Sequence, residues 1–304
     1  VNSKFIMKGM IGFYIALFFL YLFGPLLVMG VTAFNTPNYP TAFPFQGFTL
    51  EWFVKLWNHR SMMEGLKNSI IIGLGVVAVS VPVGLAAAII MNQIYYRARG
   101  FFYLVTVSPV LTPGVIIGIS TVIFWKDMMG LTEFTKATFY KGIILAILGQ
   151  ASFVAAYALL IIMARLQRFD RAQEEAALDL GASHPQVFWH ILLPFLKPAL
   201  ISAAVIAFLS SFENYNTTTF AILADKTLVT VLAGEVRQGT TPALSALAVI
   251  IIGISLLGAI VYETMKRREE AQAERAKERA KIAERSDMES ELVSDMADAA
   301  AGLK

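Results

Sequence analysis

Apolar residues fall along this chain in six long runs separated by short polar stretches. The runs extend from about Met10 to Phe34, Ser69 to Met91, Phe101 to Trp125, Gly142 to Ala164, Ala199 to Leu223 and Ala243 to Met265. About 20 residues of helix cross the roughly 30 Å of hydrocarbon in a bilayer, and each run is long enough to do so. None alternates apolar and polar residues with the period of two that barrel strands require. Lipid offers backbone groups no hydrogen-bond partners, so the runs are predicted to be helices. The expected fold class is all-α: a polytopic membrane protein with six transmembrane helices over residues 10–265, after a short N-terminal stretch, 1–9.

Pro82, Pro109 and Pro113 fall inside the second and third runs. Neighbouring helices in a bundle can satisfy the carbonyls that such prolines free. Gly73, Gly75, Gly84 and Ala86 to Ala88 are read as packing residues that let helices approach closely. Between the first two runs, NTPNYPTAFPF is proline-rich and expected to be irregular. FTLEWFVKLWNH then predicts a short interfacial helix, with Trp52 and Trp57 in an aromatic belt.

Composition agrees with this pattern. Of 304 residues, 57% are hydrophobic and 15% charged, against about 25% charged in soluble domains. With no cysteine, disulfides, thiolate metal sites and cysteine nucleophiles are excluded. The first run is longer than a signal-peptide core and is read as a retained anchor. Lys4, Lys8, Arg97, Arg99, Arg165, Arg168, Arg171, Lys266, Arg267 and Arg268 flank alternate run ends, which predicts that side, and both termini, to be cytoplasmic. The opposite side carries Lys55, Arg60, Lys67, Lys126, Lys136 and Lys141 in longer segments mixed with acids. From Lys266 to Arg285 the chain turns to Ala, Glu, Lys and Arg, with Glu274–Lys277 and Glu278–Lys281 at helical spacing. A charged cytoplasmic helix is expected there, followed by a disordered acidic end after Ser286.

The stretch from about 165 to 198, between the fourth and fifth runs, stands apart: RFDRAQEEAALDLGASHPQVFWHILLPFLKPAL. Asp170 can cap a helix whose first turn holds Glu174 and Glu175. Gly181 can stop that helix in a left-handed conformation. Pro185 can start the next, Gln186 to Leu193, before Pro194 and Pro198 lead into the fifth span. A helix–Gly–helix knob with few reactive side chains suits being gripped by a partner.

Glu175-Ala176-Ala177, Gly181, Ile191 and Leu193-Pro194 reproduce the spacing Glu-Ala-Ala, three residues, Gly, nine residues, Ile, one residue, Leu-Pro. That stretch resembles the EAA loop of binding-protein-dependent importer permeases, the type I, MetI-like ABC permeases. FTLEWF, KNSIIIG and PALSALA resemble the spermidine/putrescine, PotC-like branch, and the likeness runs from about Lys8 to Met265. The resemblance implies a permease subunit in the cytoplasmic (inner) membrane that forms half of a path for a small solute, a polyamine or related cationic amine. Glu175, Ala176, Ala177, Gly181, Ile191, Leu193 and Pro194 would form the coupling loop. The implied partners are a second homologous permease, two ATPase subunits, a periplasmic or extracellular solute-binding protein and the lipid bilayer, with no nucleic acid. The chain itself would hold no cofactor and catalyse no reaction; ATP and Mg would sit on the ATPase. Related branches carry opines, phosphonates, thiamine or iron.

No Gly-x-x-x-x-Gly-Lys-Ser/Thr phosphate loop occurs, so ATP hydrolysis is expected on another chain. His59, His184 and His190 lack metal-ligand spacing. Counted from Ala199, Glu213 lies about 14 residues, roughly 20 Å, into the fifth run. An intramembrane acid faces a cavity or a partner. Glu213 is therefore a candidate pathway residue for a cation, or half of a structural ion pair, with Asn214 and Tyr215 beside it; Asn216 closes the polar turn. The polyamine branch often has two acids here, whereas Ser211-Phe212-Glu213-Asn214 has one. A secondary transporter would leave the loop pattern unexplained and has few intramembrane acids for an ion site. An intramembrane enzyme would need paired aspartates, HExxH or GxSxG, none of which is present.

Overall fold

The computed structural model describes residues 2–94, 96–128, 140–258, 260, 263, 264 and 267. The proposed charged helix of the tail lies outside these residues. The described residues contain helices and no strand beyond an isolated antiparallel bridge between Asn35 and Phe48. The chain divides into two compact units, residues 1–50 with 242–304, and residues 51–241.

In the first unit, α1 (Asn2–Phe34) presents exposed apolar side chains from Ile6 to Leu22, a surface suited to lipid. The irregular segment after it folds around the buried Asn35. Its Nδ2 donates to the Thr41 and Pro44 carbonyls, and its Oδ1 accepts from Thr36 and Gln46 N–H. The last helix, Pro242–Gly258, belongs to the same unit, where Thr32 Oγ1 donates to Ser245 Oγ at 2.8 Å.

The second unit is built on three helices: α3 (Arg60–Gln93), α6 (Gly142–Leu166) and α9 (Leu193–Phe212). α3 and α6 touch at Gly84, where an added Cβ would lie 2.6 Å from Ala158 Cβ and 2.8 Å from Leu159 N. Ile72, Val76, Leu145, Val154 and Ala207 form one layer of the core, and Ala88, Leu159, Ile162 and Leu196 another. The short helix α2 (Glu51–Trp57) buries Trp52, with Lys55 Nζ 4.3 Å from its ring centre, and exposes Trp57. Trp52 is thus a core residue rather than a belt residue.

Three features depart from six uninterrupted spans. The third run is two helices, α4 (Tyr96–Leu111) and α5 (Gly114–Met128), bent by 101°. Pro113 lacks the N–H that would continue α4, and proline disfavours the helical region for Thr112 before it. The Thr112 hydroxyl instead satisfies the Ser108 carbonyl, and Pro113 accepts the first bonds of α5. The fifth run begins earlier than Ala199 and stops at Phe212; after a break, α10 (Asn216–Ala221) follows. The helix Pro242–Gly258 is shorter than a full span among the described residues. Among the described residues, four helices are long and apolar enough to cross a membrane, or five with the bent pair counted as one.

Candidate functional site

The 165–198 stretch forms a knob. The Asp170 carboxylate accepts from Ala172 N–H at 3.0 Å and opens α7 (Ala172–Asp179), with Glu174 and Glu175 in its first turn. Gly181 has φ +85°, a conformation glycine reaches without Cβ strain. Gly181 N–H bonds to the Leu178 carbonyl and Ala182 N–H to the Ala177 carbonyl. Both bonds together are the Schellman closure of a helix C-terminus. Ser183 N–H then donates to Gln186 Oε1 at 2.8 Å and starts α8 (His184–Val187). That Ser-x-x-Gln pattern was a readable helix start that the sequence reading passed over.

α8 does not end at Pro194. It runs through a π-helical turn, Phe188–Leu192, into α9. Leu193 N–H reaches the Phe188 carbonyl, five residues back. Pro194 lies just after the π turn, and the helical run from His184 to Phe212 is unbroken. Glu175, Ala176 and Gly181 are exposed on the knob and Ala177 is half-buried, whereas Ile191, Leu193 and Pro194 form its junction with α9. Leu180 at the tip is 89% exposed, and no residue of α7 is buried. The base is fixed: Phe169 contacts Phe195 at 5.1 Å between ring centres, Arg165 lies over the Phe195 ring, and Arg171 donates to the Asn92 carbonyl at the end of α3.

Glu213 is the C-cap of α9, about 30 Å along the helix from Leu193, six residues further than a start at Ala199 gives. It is exposed; its backbone N–H donates to the Leu209 carbonyl, and its carboxylate makes no hydrogen bond or ion pair with a described residue. Asn214 turns inward. Its Oδ1 accepts from Thr217 N–H at 3.0 Å and from Thr218 N–H and Oγ1, capping α10. Tyr215 Oη accepts from Arg237 at 3.0 Å; Arg237 lies on α11 (Leu228–Gln238).

Behind the break is a buried polar chain that the sequence reading missed. Ser211 Oγ donates to Gln150 Oε1 at 2.5 Å, and Gln150 Nε2 donates to Thr218 Oγ1 at 2.7 Å. All three residues are buried. A glutamine inside the fourth apolar run was the available signal, since an intramembrane polar group needs a partner. The Thr217 hydroxyl is also buried, without a partner among the described residues, and a Cβ added to Gly114 of α5 would come within 2.9 Å of it. The bend at Pro113 and the break at Glu213 therefore meet on one close helix contact. The histidines serve locally: His59 Nδ1 accepts from Met62 N–H and its Nε2 lies 3.5 Å from Glu235, while His190 Nδ1 lies 3.0 Å from the Gln186 carbonyl.

Residues 80–270 match the family described as binding-protein-dependent transport system inner membrane component. The chain is 29% identical over 255 residues to the putrescine transport system permease protein PotI of Escherichia coli (strain K12), covering 83% of this chain and 89% of that one. It is 32% identical over 203 residues to the spermidine/putrescine transport system permease protein PotC homolog of Mycoplasma genitalium, covering 66% and 69%. Among solved structures, a bacterial ABC transporter involved in the import of the acidic polysaccharide alginate matches with a TM-score of 0.65 at 18% identity, over 88% of this chain and 96% of that one. A bacterial alginate ABC transporter in complex with a pentasaccharide-bound periplasmic protein matches at 0.62 and 18%, over 86% and 93%.

Proposed function

Because the chain belongs to the family of binding-protein-dependent transport system inner membrane components, and so is the permease subunit of an ABC importer, we propose that it forms one of two similar halves of a path for a polyamine or related cationic amine. Two ATPase subunits, which bind ATP and Mg, and an external solute-binding protein complete the machine. α1, α3, the bent pair α4–α5, α6, α9 with α10, and a sixth helix starting at Pro242 make six crossings of the inner membrane. Both termini and the tail from Lys266 are cytoplasmic, by the placement of Lys and Arg.

The observation that carries this reading is the knob. An exposed Leu180 on a closed helix–Gly–helix turn, at the end of a bundle and buried against none of the described residues, fits a groove on a partner. Residues 165–198, with Glu175 to Gly181 at the contact and Ile191 to Pro194 at the junction, make up the coupling loop. Movement of the knob reaches α9 without a flexible link, because the π turn keeps the helix continuous. It reaches α3 and α6 through Arg171 and the Phe169–Phe195 contact.

Glu213 is the proposed pathway residue. Gln150 lies about 12 Å along α6 from Gly142, and Ser211 bonds to it, so Glu213 stands in the outer half of the membrane if the knob is inside. An unpaired carboxylate there favours a cation arriving from the binding protein. Asn214 and Tyr215 shape the turn that presents it. The polyamine-permease relatives favour the same substrate class.

Gly181→Val tests the coupling. Valine at φ +85° is strained by about 1–3 kcal/mol, which the knob can relieve only by changing shape. Uptake by the reconstituted importer is expected to fall at least tenfold while membrane insertion is unchanged. Normal uptake would overturn the docking role.

A further inference from the structure

At the end of α3, the start of α4 and the end of α6 there is a cavity of about 760 Å³. Met91, Tyr103, Leu160 and Met163 give it an apolar wall, Arg97 and Arg99 line it as well, and no acidic residue does among the described residues. Both arginines lie in the first turn of α4, which contains no acid. The helix dipole makes that end partially positive, so two cations there are disfavoured unless an anion joins them. Neither arginine pairs with an acid among the described residues.

We propose that this cavity binds an anionic glycerophospholipid of the inner leaflet. The guanidinium groups, with the first N–H groups of α4, hold the headgroup phosphate, and the Met91–Leu160–Met163 wall takes the first part of an acyl chain. Arginine suits phosphate through paired N–H donors. Basic pockets between spans near the cytoplasmic surface fit lipid headgroups for the same reason. A free phosphate would use the arginines and leave the apolar wall wet; a zwitterionic lipid would use the wall and leave the positive charge uncompensated. The inner-leaflet assignment rests on the orientation proposed above, whereas the lipid preference itself does not. A lipid there would brace the α3–α4 turn beside Asn92, whose carbonyl also holds Arg171 at the base of the knob.

The test is native mass spectrometry of the full chain, purified with its partner subunits, titrated with phosphatidylglycerol, phosphatidylcholine or inorganic phosphate. Phosphatidylglycerol is expected to bind at least tenfold tighter than phosphatidylcholine. In Arg97→Gln/Arg99→Gln that preference should be lost, at about fivefold per guanidinium, while Arg97→Lys/Arg99→Lys keeps most of it. Millimolar inorganic phosphate should leave the bound lipid in place. Equal binding of both lipids by the wild type, an undiminished preference in the glutamine variant, or displacement of the lipid by inorganic phosphate would each overturn the proposal. If the glutamine variant does not assemble, the wild-type comparison and the lysine variant still decide. Uptake is not read, so failure here leaves the transport reading intact.

Discussion

Gln150→Leu removes the centre of the buried chain that joins α6 to both sides of the break at Glu213. Leucine keeps nearly the same volume but takes away the acceptor of Ser211 Oγ and the donor to Thr218 Oγ1. Thr218 retains its contact with Asn214 Oδ1, so the lost stabilisation is that of two interhelical hydrogen bonds and the stranding of the Ser211 hydroxyl. In membrane proteins such bonds average about 0.6 kcal/mol and reach about 1.7 kcal/mol. The expected loss is therefore roughly 1–3 kcal/mol. At about 2.1 cal/mol/K of unfolding entropy per residue, each kcal/mol lowers Tm by roughly 1.5 °C in a chain of this size. Thermal unfolding of the detergent-solubilised protein reads the total, and amide hydrogen exchange at residues 213–218 reads its location. Exchange there should quicken by about tenfold while the core around Leu159 changes less. Unchanged Tm together with unchanged exchange would refute the assignment of the break to this network.

Gly84→Ala drives a methyl into the Ala155 carbonyl and Leu159 N, where no flexible side chain can yield, and should cost about 1–3 kcal/mol of stability. Gly234→Ala, which meets nothing, should be neutral or stabilising by up to about 1 kcal/mol in the same unfolding assay. Glu213→Gln should leave assembly and Tm unchanged and slow uptake of a cationic substrate; a fall in assembly with intact specific uptake would make Glu213 structural instead. A cysteine introduced after Arg268 should react with a membrane-impermeant label only in inside-out vesicles, and reaction in right-side-out cells would reverse the orientation.

Much of the knob was legible because its rules are local. Asp170, Gly181 and the Glu-Ala-Ala spacing act within a few residues of one another, and the helix closes at Gly181 as its backbone freedom predicts. The long apolar runs were legible for the same reason. The bend at Thr112–Pro113 was present in the sequence as a proline, but Pro82 and Pro109 lie within helices, so proline alone did not distinguish a break from a tolerated kink. The close fit of Gly114 and Gly118 against Thr217 makes the difference, and it depends on residues about 100 positions away. The break at Glu213 has no glycine or proline. Asn214 produces it by capping α10, and Gln150 secures it across 61 and 68 residues of sequence, beyond any local pattern. Pro194 misled in the other direction: it looked like the boundary of the fifth span, and the π turn carried the helix through it.

That π turn also fixes an angle. A π turn holds one residue more than the α-helical turn it replaces, and each residue of α-helix advances about 100° around the axis. The wide turn at Phe188–Leu192 absorbs that extra residue and so holds the azimuth at which the Leu180 tip points relative to the face of α9 that carries Ser211. Deleting that extra residue would let the helix close into ordinary α geometry with little change of azimuth, whereas deleting a residue that the wide turn does not absorb would turn the knob by about 100°, more than a quarter-turn, for only about 1.5 Å of length. Insertions and deletions between Gly181 and Leu193 that the wide turn does not absorb are thus constrained by rotational phase far more than by length.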